Sequence, residues 1–526
     1  MKKISMLFMA FLPLLTFAQE RIMVIADPHV LAQSLIEEGE AFESMMDNQR
    51  KMLDLSEPAW WALIDTALTY KPELVLIPGD LTKDSEKASH EVVLAGLQAL
   101  HKAGIKTLVI PGNHDIGGNA YAYKGDQKIE VEHLSDEEWE SRYAWVYNNA
   151  VAKDPDSHSY VSEPFSGVTV LAIDGTNNDA SVGSLSENTL SWVLAQADTA
   201  KMHGNLIIAM AHWQLMDHFD MQGRVESACQ FEKAAAIRDS LAHHGVHLVL
   251  TGHFHINSIT TYRDTLSAEL DSLVEISTGS PITYPCPYRW LTISQDRHSV
   301  TVETDNLMAL ATRPDLLPYS REWMRIHAEK MLPQLALRAW NKVGDKAFDK
   351  AEEILDPTVA DILRGAVPQD DAGKIDMVQR HLGSTIVELY LLHSDANEPD
   401  QAQADSLAQA FYTGIESMIR ETMDNSMAKY VPGLTDLLVS VCVGYAHDPI
   451  QSMVEDVTNW TSVNYKDRTD DLRIVLTVNT PGDTPIENIW ENASDATVYD
   501  LMGRPVSDPS STGEIYLQKG RKFMIR

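Results

Sequence analysis

For residues 21–304 the sequence predicts an α/β fold, followed by an α-helical region and a small β module. Three patterns carry this reading. Short Val/Ile/Leu-rich runs alternate with amphipathic stretches as far as Thr304, as expected for strands buried in a layered core. Over residues 317–446 apolar residues recur at helical spacing and strand-like runs are nearly absent. Beyond them, residues 472–478 (LRIVLTV) alternate like a half-buried strand.

The strands expected in the first part are residues 21–26 (RIMVIA), 73–77 (ELVLI), 107–110 (TLVI), 168–173 (VTVLAI), 205–210 (NLIIAM), 247–250 (HLVL) and 273–277 (LVEIS). Between them lie amphipathic helices such as residues 90–102, ended by Gly104. Helices are expected over residues 323–337, 350–363, 377–392 and 404–423, with an acidic connector at 395–405. In the tail, Pro481-Gly482-Asp483 is a turn, and residues 496–501 and 514–517 are short strands.

The chain has 526 residues, enough for two or three domains. We divide it into a signal peptide (1–18), an α/β domain (19–310), an α-helical accessory region (311–450) and a small C-terminal β module (451–526). Lys2 and Lys3 precede an apolar run over residues 6–17, and Ala18 ends a small-residue cleavage pattern. The run is too short to span a membrane, and no later stretch is long enough either. The expected location is therefore exported: periplasmic, outer-surface or secreted. Three cysteines, Cys229, Cys286 and Cys442, are too few for a disulfide scaffold and show no metal spacing. A net charge of −34 argues against nucleic-acid partners and demands a strong local positive charge at any phosphate site.

Five motifs sit where expected strands stop: Asp27-Pro28-His29, Gly79-Asp80, Gly112-Asn113-His114-Asp115, His212 and Gly252-His253-Phe254-His255. Ligands of α/β sheets bind at the carboxyl ends of strands, so these residues can converge on one cleft. Imidazole, carboxylate and amide donors without thiolate suit two ions of iron, manganese or zinc. Asp-x-His and His-x-His place two side chains on one side of an extended segment. Asp80, on a tight glycine turn, is the natural bridge, offering one oxygen to each ion. Gly79, Gly112 and Gly252 permit close approach or positive φ beside the site.

In this order, the motifs resemble the calcineurin-like metallophosphoesterase family over residues 21–304, with no ligand position substituted. The resemblance implies a sandwich of two mixed sheets flanked by helices. It implies one ion on Asp27, His29, Asp80 and His255, and a second on Asp80, Asn113, His212 and His253. His114 would face the substrate and Asp115 could orient it. The implied reaction is hydrolysis of a small-molecule phosphate ester, mono- or diester, by in-line attack of a metal-bridging hydroxide, with His114 stabilising the transition state or protonating the leaving group. The alternative is a catalytically silent binding or surface protein on the same fold.

Other residues have plainer readings. Asp84 is a helix cap, His90 structural or solvent-facing, and Asp174 turn-stabilising. Arg289 could meet a substrate phosphate, against the alternative of a structural ion pair. Trp213 and His218 line the cleft or its rim, or belong to the core. His243, His244 and His247 are surface or capping residues. Specificity is expected from residues 30–58, the 119–136 loop and the helical region. Residues 498–504, 513–517 and 519–522 resemble C-terminal sorting modules of proteins exported by the Bacteroidetes type IX system, with Glu514 interrupting the usual spacing.

Overall fold

The computed structural model describes residues 19–47, 49–177, 182–218, 229–263, 272–341, 349, 353, 355, 357–395, 401–458, 465–467 and 473–477, and in the tail 498–499, 505–506, 515–518 and 521–524. The expected signal peptide, residues 1–18, lies outside the described residues.

In chain order the strands are β1 (Glu20–Val24), β2 (Leu74–Pro78), β3 (Lys106–Ile110), β4 (Tyr121–Lys124), β5 (Gln127–Glu130), β6 (Ala152–Lys153), β7 (Tyr160–Phe165), β8 (Val168–Ile173), β9 (Leu206–Ala211), β10 (Leu248–Thr251), β11 (Ser258–Arg263), β12 (Ser272–Ser277), β13 (Pro287–Ile293), β14 (Ser299–Asn306), β15 (Tyr465–Asp467) and β16 (Arg473–Thr477). One sheet runs β16-β14-β13-β1-β2-β3 and the other β15-β11-β12-β10-β9-β8-β7-β6. Each has a parallel centre: β1, β2 and β3 in the first, and β8, β9, β10 and β12 in the second. Antiparallel strands flank both centres. The α/β expectation holds, as two mixed sheets with helices around them.

The core lies between the sheets. Along β8 and β9, Val168, Val170, Leu206, Ile208 and Met210 join the cluster shared with β1 and β2, whereas Leu171, Ile173, Ile207 and Ala209 turn to the other face. That face is covered by Val193 and Ala197 of helix Glu187–Met202 and by Ile237 and Leu241 of helix Ala234–His243. Burial on both faces is why these strands read as unbroken apolar runs. Trp60 of helix Ser56–Tyr70 is fully buried against Gly96 of helix Lys87–Lys102, where an added Cβ would overlap Ile64 at 2.9 Å. We expect Trp60→Ala to cost about 3–5 kcal/mol, read by urea unfolding; a loss below about 1 kcal/mol would contradict this packing.

The strand expected at 472–478 is present, but not within a tail module. β16 pairs with β14, burying Ile474 and Leu476 and leaving Val475 exposed, and so forms the edge of the first sheet. β15 likewise extends the second sheet beyond β11. These late strands cover the open ladders of β11 and β14, so the α/β layer draws on sequence beyond position 450. The described tail strands, β17 (Val498–Tyr499), β18 (Pro505–Val506), β19 (Ile515–Gln518) and β20 (Arg521–Met524), form a separate sheet.

Between the two parts lie helices Leu316–Ala339, Pro357–Ala366, Asp371–Ser394, Gln401–Asp424 and Leu434–Thr458. The last runs past the expected limit, and the connector is shorter than expected because Gln401 already starts a helix that buries Ala404. Trp340, Met377, Leu407, Phe411 and Ile450 share one helical core. Met324, Leu332 and Leu391 pack on Tyr284 of the α/β part, whose hydroxyl donates to Asp395 at 2.9 Å. Among the described residues, no helix is long and apolar enough to cross a membrane.

Candidate metal centre and active site

Five strand ends deliver the polar residues. Asp27 and His29 follow β1, Asp80 follows β2, Asn113 and His114 follow β3, His212 follows β9, and His253 and His255 follow β10. Five of them hold left-handed backbones: Asp27 (φ 50°), His29 (42°), Asp80 (51°), His253 (64°) and His255 (61°). Such conformations cost on the order of 1–3 kcal/mol each outside glycine, and they persist because the surroundings impose them. The His29 N–H donates to the Asp80 carbonyl at 2.9 Å, and the His253 N–H to Asp27 Oδ1 at 2.9 Å. A Cβ on Gly112 would collide with the Asp80 carboxylate, and one on Gly252 with that of Asp27.

Two groups of donor atoms converge, each within 4.8 Å of one another: Asp27, His29, Asp80 and His255, and Asp80, His212 and His253. His29 Nε2 lies 2.9 Å from His255 Nε2. His212 Nε2 lies 3.1 Å from His253 Nδ1 and 3.1 Å from Asn113 Oδ1. The Asp80 carboxylate spans both groups through one oxygen. Oδ2 is 3.4 Å from His29 Nε2 and 3.3 Å from His212 Nε2, while Oδ1 accepts the His114 N–H at 2.9 Å. Oδ1 thus also ties the carboxylate to the loop that presents His114.

The donor set fits two cations. The His212 Nδ1–H donates to the Pro78 carbonyl at 2.8 Å, so in the neutral ring the Nε2 lone pair faces Asn113, Asp80 and His253. Carboxylate, amide and ring acceptors crowded this closely call for positive charge, from a metal ion or from a protonated ring. Burial disfavours a charged His212, but the Asp80 and Asp27 carboxylates outweigh it and lift its pKa to about 9. Burial also raises Asp27 to about 8, against the pull of His212. It holds His29 and His255 well below the usual histidine range, with Lys51 and Arg50 adding to the effect, so both rings are neutral and able to donate lone pairs.

His114 is about a third exposed and faces a cavity of about 330 Å³. Its orienting partner is not Asp115. His114 Nδ1 pairs with Asp84 Oδ1 at 2.7 Å, and Asp84 also pairs with Lys83. Asp84 is no helix cap, since Glu86 holds that position. Asp115 is fully buried. Its oxygens accept the N–H groups of Leu81 (3.1 Å), Thr82 (2.9 Å) and Gly112 (2.9 Å) and the Thr82 hydroxyl (3.1 Å). It clamps the two ligand loops together.

Arg289 is also corrected as a substrate contact. β13 carries it into the interior, where it is fully buried and its Nη2 donates to the Ser277 carbonyl at 3.0 Å. Asp174 stabilises a turn, accepting the Thr176 N–H at 2.8 Å and the His158 N–H at 3.1 Å. His218 is core, bonded to Ser258 at 2.8 Å, and Trp213 is buried beneath His212. His244 pairs with Asp198 and His247 with the Ser272 carbonyl.

His90 is buried between the Tyr143 hydroxyl (2.8 Å) and the Asp115 carbonyl (3.0 Å), and burial lowers its pKa from 6.5 to about 4. Its folded pKa lies below its unfolded one. Stability is therefore full above pH 6.5 and falls as pH drops towards 4, by up to about 3 kcal/mol. Urea unfolding at pH 7 and pH 5 should show this slope flattened by His90→Gln.

Four cavity residues were not singled out in the sequence: Gln49, Arg50 and Lys51, within the 30–58 segment, and His327 of helix Leu316–Ala339. Cys229 also lines the cavity, whereas Cys286 and Cys442 are buried.

Residues 20–257 match the family model described as calcineurin-like phosphoesterase. No curated protein matches the chain. Similar solved structures include a dimetal phosphatase from Danio rerio, 14% identical, covering 54% of this chain and 95% of its own, with a TM-score of 0.41. GAP50, described as the anchor in the inner membrane complex of Plasmodium, is 10% identical over 55% of this chain and 84% of its own, with a TM-score of 0.26. The phosphopantetheinyl hydrolase of Mycobacterium tuberculosis is 12% identical over 50% of this chain and 91% of its own, with a TM-score of 0.23. Residues 20–257 form a calcineurin-like phosphoesterase domain, a domain of metal-dependent phosphoester hydrolases.

Proposed function

We propose that the chain is an exported two-metal phosphohydrolase that cleaves a P–O ester bond. The observation that carries this reading is the convergence of the Asp27/His29/Asp80/His255 and Asp80/His212/His253 groups beside His114, all bordering one cavity or buried beneath it. Asp27, His29, Asp80 and His255 would hold one metal, and Asp80, Asn113, His212 and His253 the other. Bound there, two divalent ions supply Lewis acidity to the phosphoryl oxygens and lower the pKa of a water.

The chain's own side chains do the rest. Asp84 accepts from Nδ1 of His114, which fixes the ring and leaves Nε2 to hold or give a proton. A proton given to the leaving oxygen avoids a free alkoxide, and a charged His114 stabilises the transition state. The test is turnover of a chromogenic phosphomonoester and a phosphodiester with Mn²⁺ or Zn²⁺. We expect hydrolysis that chelator abolishes and added metal restores. Metal-loaded, folded protein without turnover on either ester would favour a binding protein instead.

The basic and apolar start of the sequence, together with the sorting-type tail, supports export. Mass spectrometry of the protein from its native host should find a chain beginning at Gln19. Retention of residues 1–18 would overturn the signal-peptide assignment.

A further inference from the structure

Beyond the ligand cluster and His114, the described walls of the cavity are Gln49, Arg50, Lys51, Cys229 and His327. None is an aliphatic side chain and none is Phe, Tyr or Trp, so the described walls are polar. At about 330 Å³ the cavity sits at the small end of ligand pockets.

The polar wall is braced from three sides. Arg50 Nη2 donates to the Phe254 carbonyl at 3.2 Å, which ties the guanidinium to the backbone of the His253-Phe254-His255 segment. Lys51 Nζ lies 3.5 Å from His29 Nδ1. Helix Leu316–Ala339 brings His327, and Lys330 on the same helix pairs with Asp47 at 2.9 Å, pinning the helix to the segment that carries Gln49 and Arg50. The nearby carboxylates are already engaged: Asp80 Oδ1 accepts the His114 N–H, and Asp84 accepts from His114 and Lys83. Both carboxylates also act on Lys51 and favour its charged form.

We propose that Arg50, supported by Gln49, Lys51 and His327, binds a second anionic group on the leaving side of the substrate. The substrate class is a small phosphate ester whose alcohol carries another phosphate or a carboxylate. This rests on the hydrolase reading above. A guanidinium uses one N–H on Phe254 and keeps further donors in the planar fork that matches either anion. In a chain of net charge −34, such a local cluster is what draws in a multiply charged ester.

The experiment uses the full metal-loaded chain and two matched pairs: propane-1,3-diol monophosphate against its bisphosphate, and propyl phosphate against 3-carboxypropyl phosphate. The pairs separate phosphate from carboxylate recognition. We expect kcat/KM to favour the more anionic member of at least one pair by about tenfold or more. Arg50→Gln should bring that ratio close to one, mainly through KM, and Arg50→Lys should retain part of it. A second readout needs no turnover: calorimetry on metal-stripped chain should show pyrophosphate binding tighter than orthophosphate, with the difference lost in Arg50→Gln.

Equal kcat/KM within both pairs, equal loss on both members in Arg50→Gln, or equal calorimetric affinities would overturn the proposal. Hydrolysis of a chromogenic ester without anionic preference sinks this inference alone. Absence of all turnover sinks the hydrolase reading, and the calorimetry still decides this one.

Discussion

Asp80→Ala should lose at least one of two bound metals and reduce turnover to near background. One oxygen, Oδ2, lies within 3.4 Å of His29 Nε2 and within 3.3 Å of His212 Nε2, so removing it opens both donor groups at once. The other oxygen holds the His114 N–H at 2.9 Å, so the substitution also loosens the loop that presents His114. Asp80→Asn separates the two effects. It keeps the side-chain shape and a carbonyl oxygen but not the charge, so metal content should fall while the loop stays in place. Metal analysis of purified protein reads the stoichiometry. Thermal unfolding with and without chelator gives an independent check, because a ligand that binds only the folded chain raises its Tm. Chelator should lower the Tm of the wild type more than that of Asp80→Ala. Full retention of two metals by the alanine variant would contradict a shared carboxylate.

How far the sequence reveals this arrangement depends on what each residue's neighbours are. The parallel strands were legible because both faces are buried, which leaves apolar runs such as Leu74–Pro78 and Val168–Ile173. β13 and β14 were not. Pro287–Ile293 mixes Arg289 and Tyr288 with apolar residues, and Ser299–Asn306 buries only alternate side chains, so neither is a continuous run. The alternation of Arg473–Thr477 was visible, but its partner β14 lies well over a hundred residues away, and no local pattern encodes that pairing. The ligand residues were legible because strand ends are where such sheets place function. Their handling was less so. Asp84 and Asp115 flank the same loops, and only the folded geometry tells which one reaches His114. Arg289 lies beyond a strand end in the sequence, yet β13 turns it inward. Gln49, Arg50 and His327 meet only through tertiary packing.

The second large effect tests that division of labour. His114→Ala should keep metal content near normal and cut kcat by roughly 10²–10⁴, since its side chain touches the cavity and belongs to neither donor group. Asp84→Asn should act through His114 without touching the metals. The ring keeps a hydrogen-bond partner at Nδ1 but loses the charged acceptor that holds it in place, so kcat falls by about tenfold or more. Unfolding stability should fall only in part, through the buried Lys83 that loses its carboxylate partner. Asp115→Asn should do the reverse. An amide can satisfy only part of the set of Leu81, Thr82 and Gly112 N–H groups that the buried carboxylate accepts, and its own donors are left facing donors. The cost falls on stability and on the spacing of the two loops, so Tm drops and metal affinity weakens together. Loss of both metals in His114→Ala would place that ring among the ligands, and an unchanged kcat in Asp84→Asn would leave its orientation to some other contact.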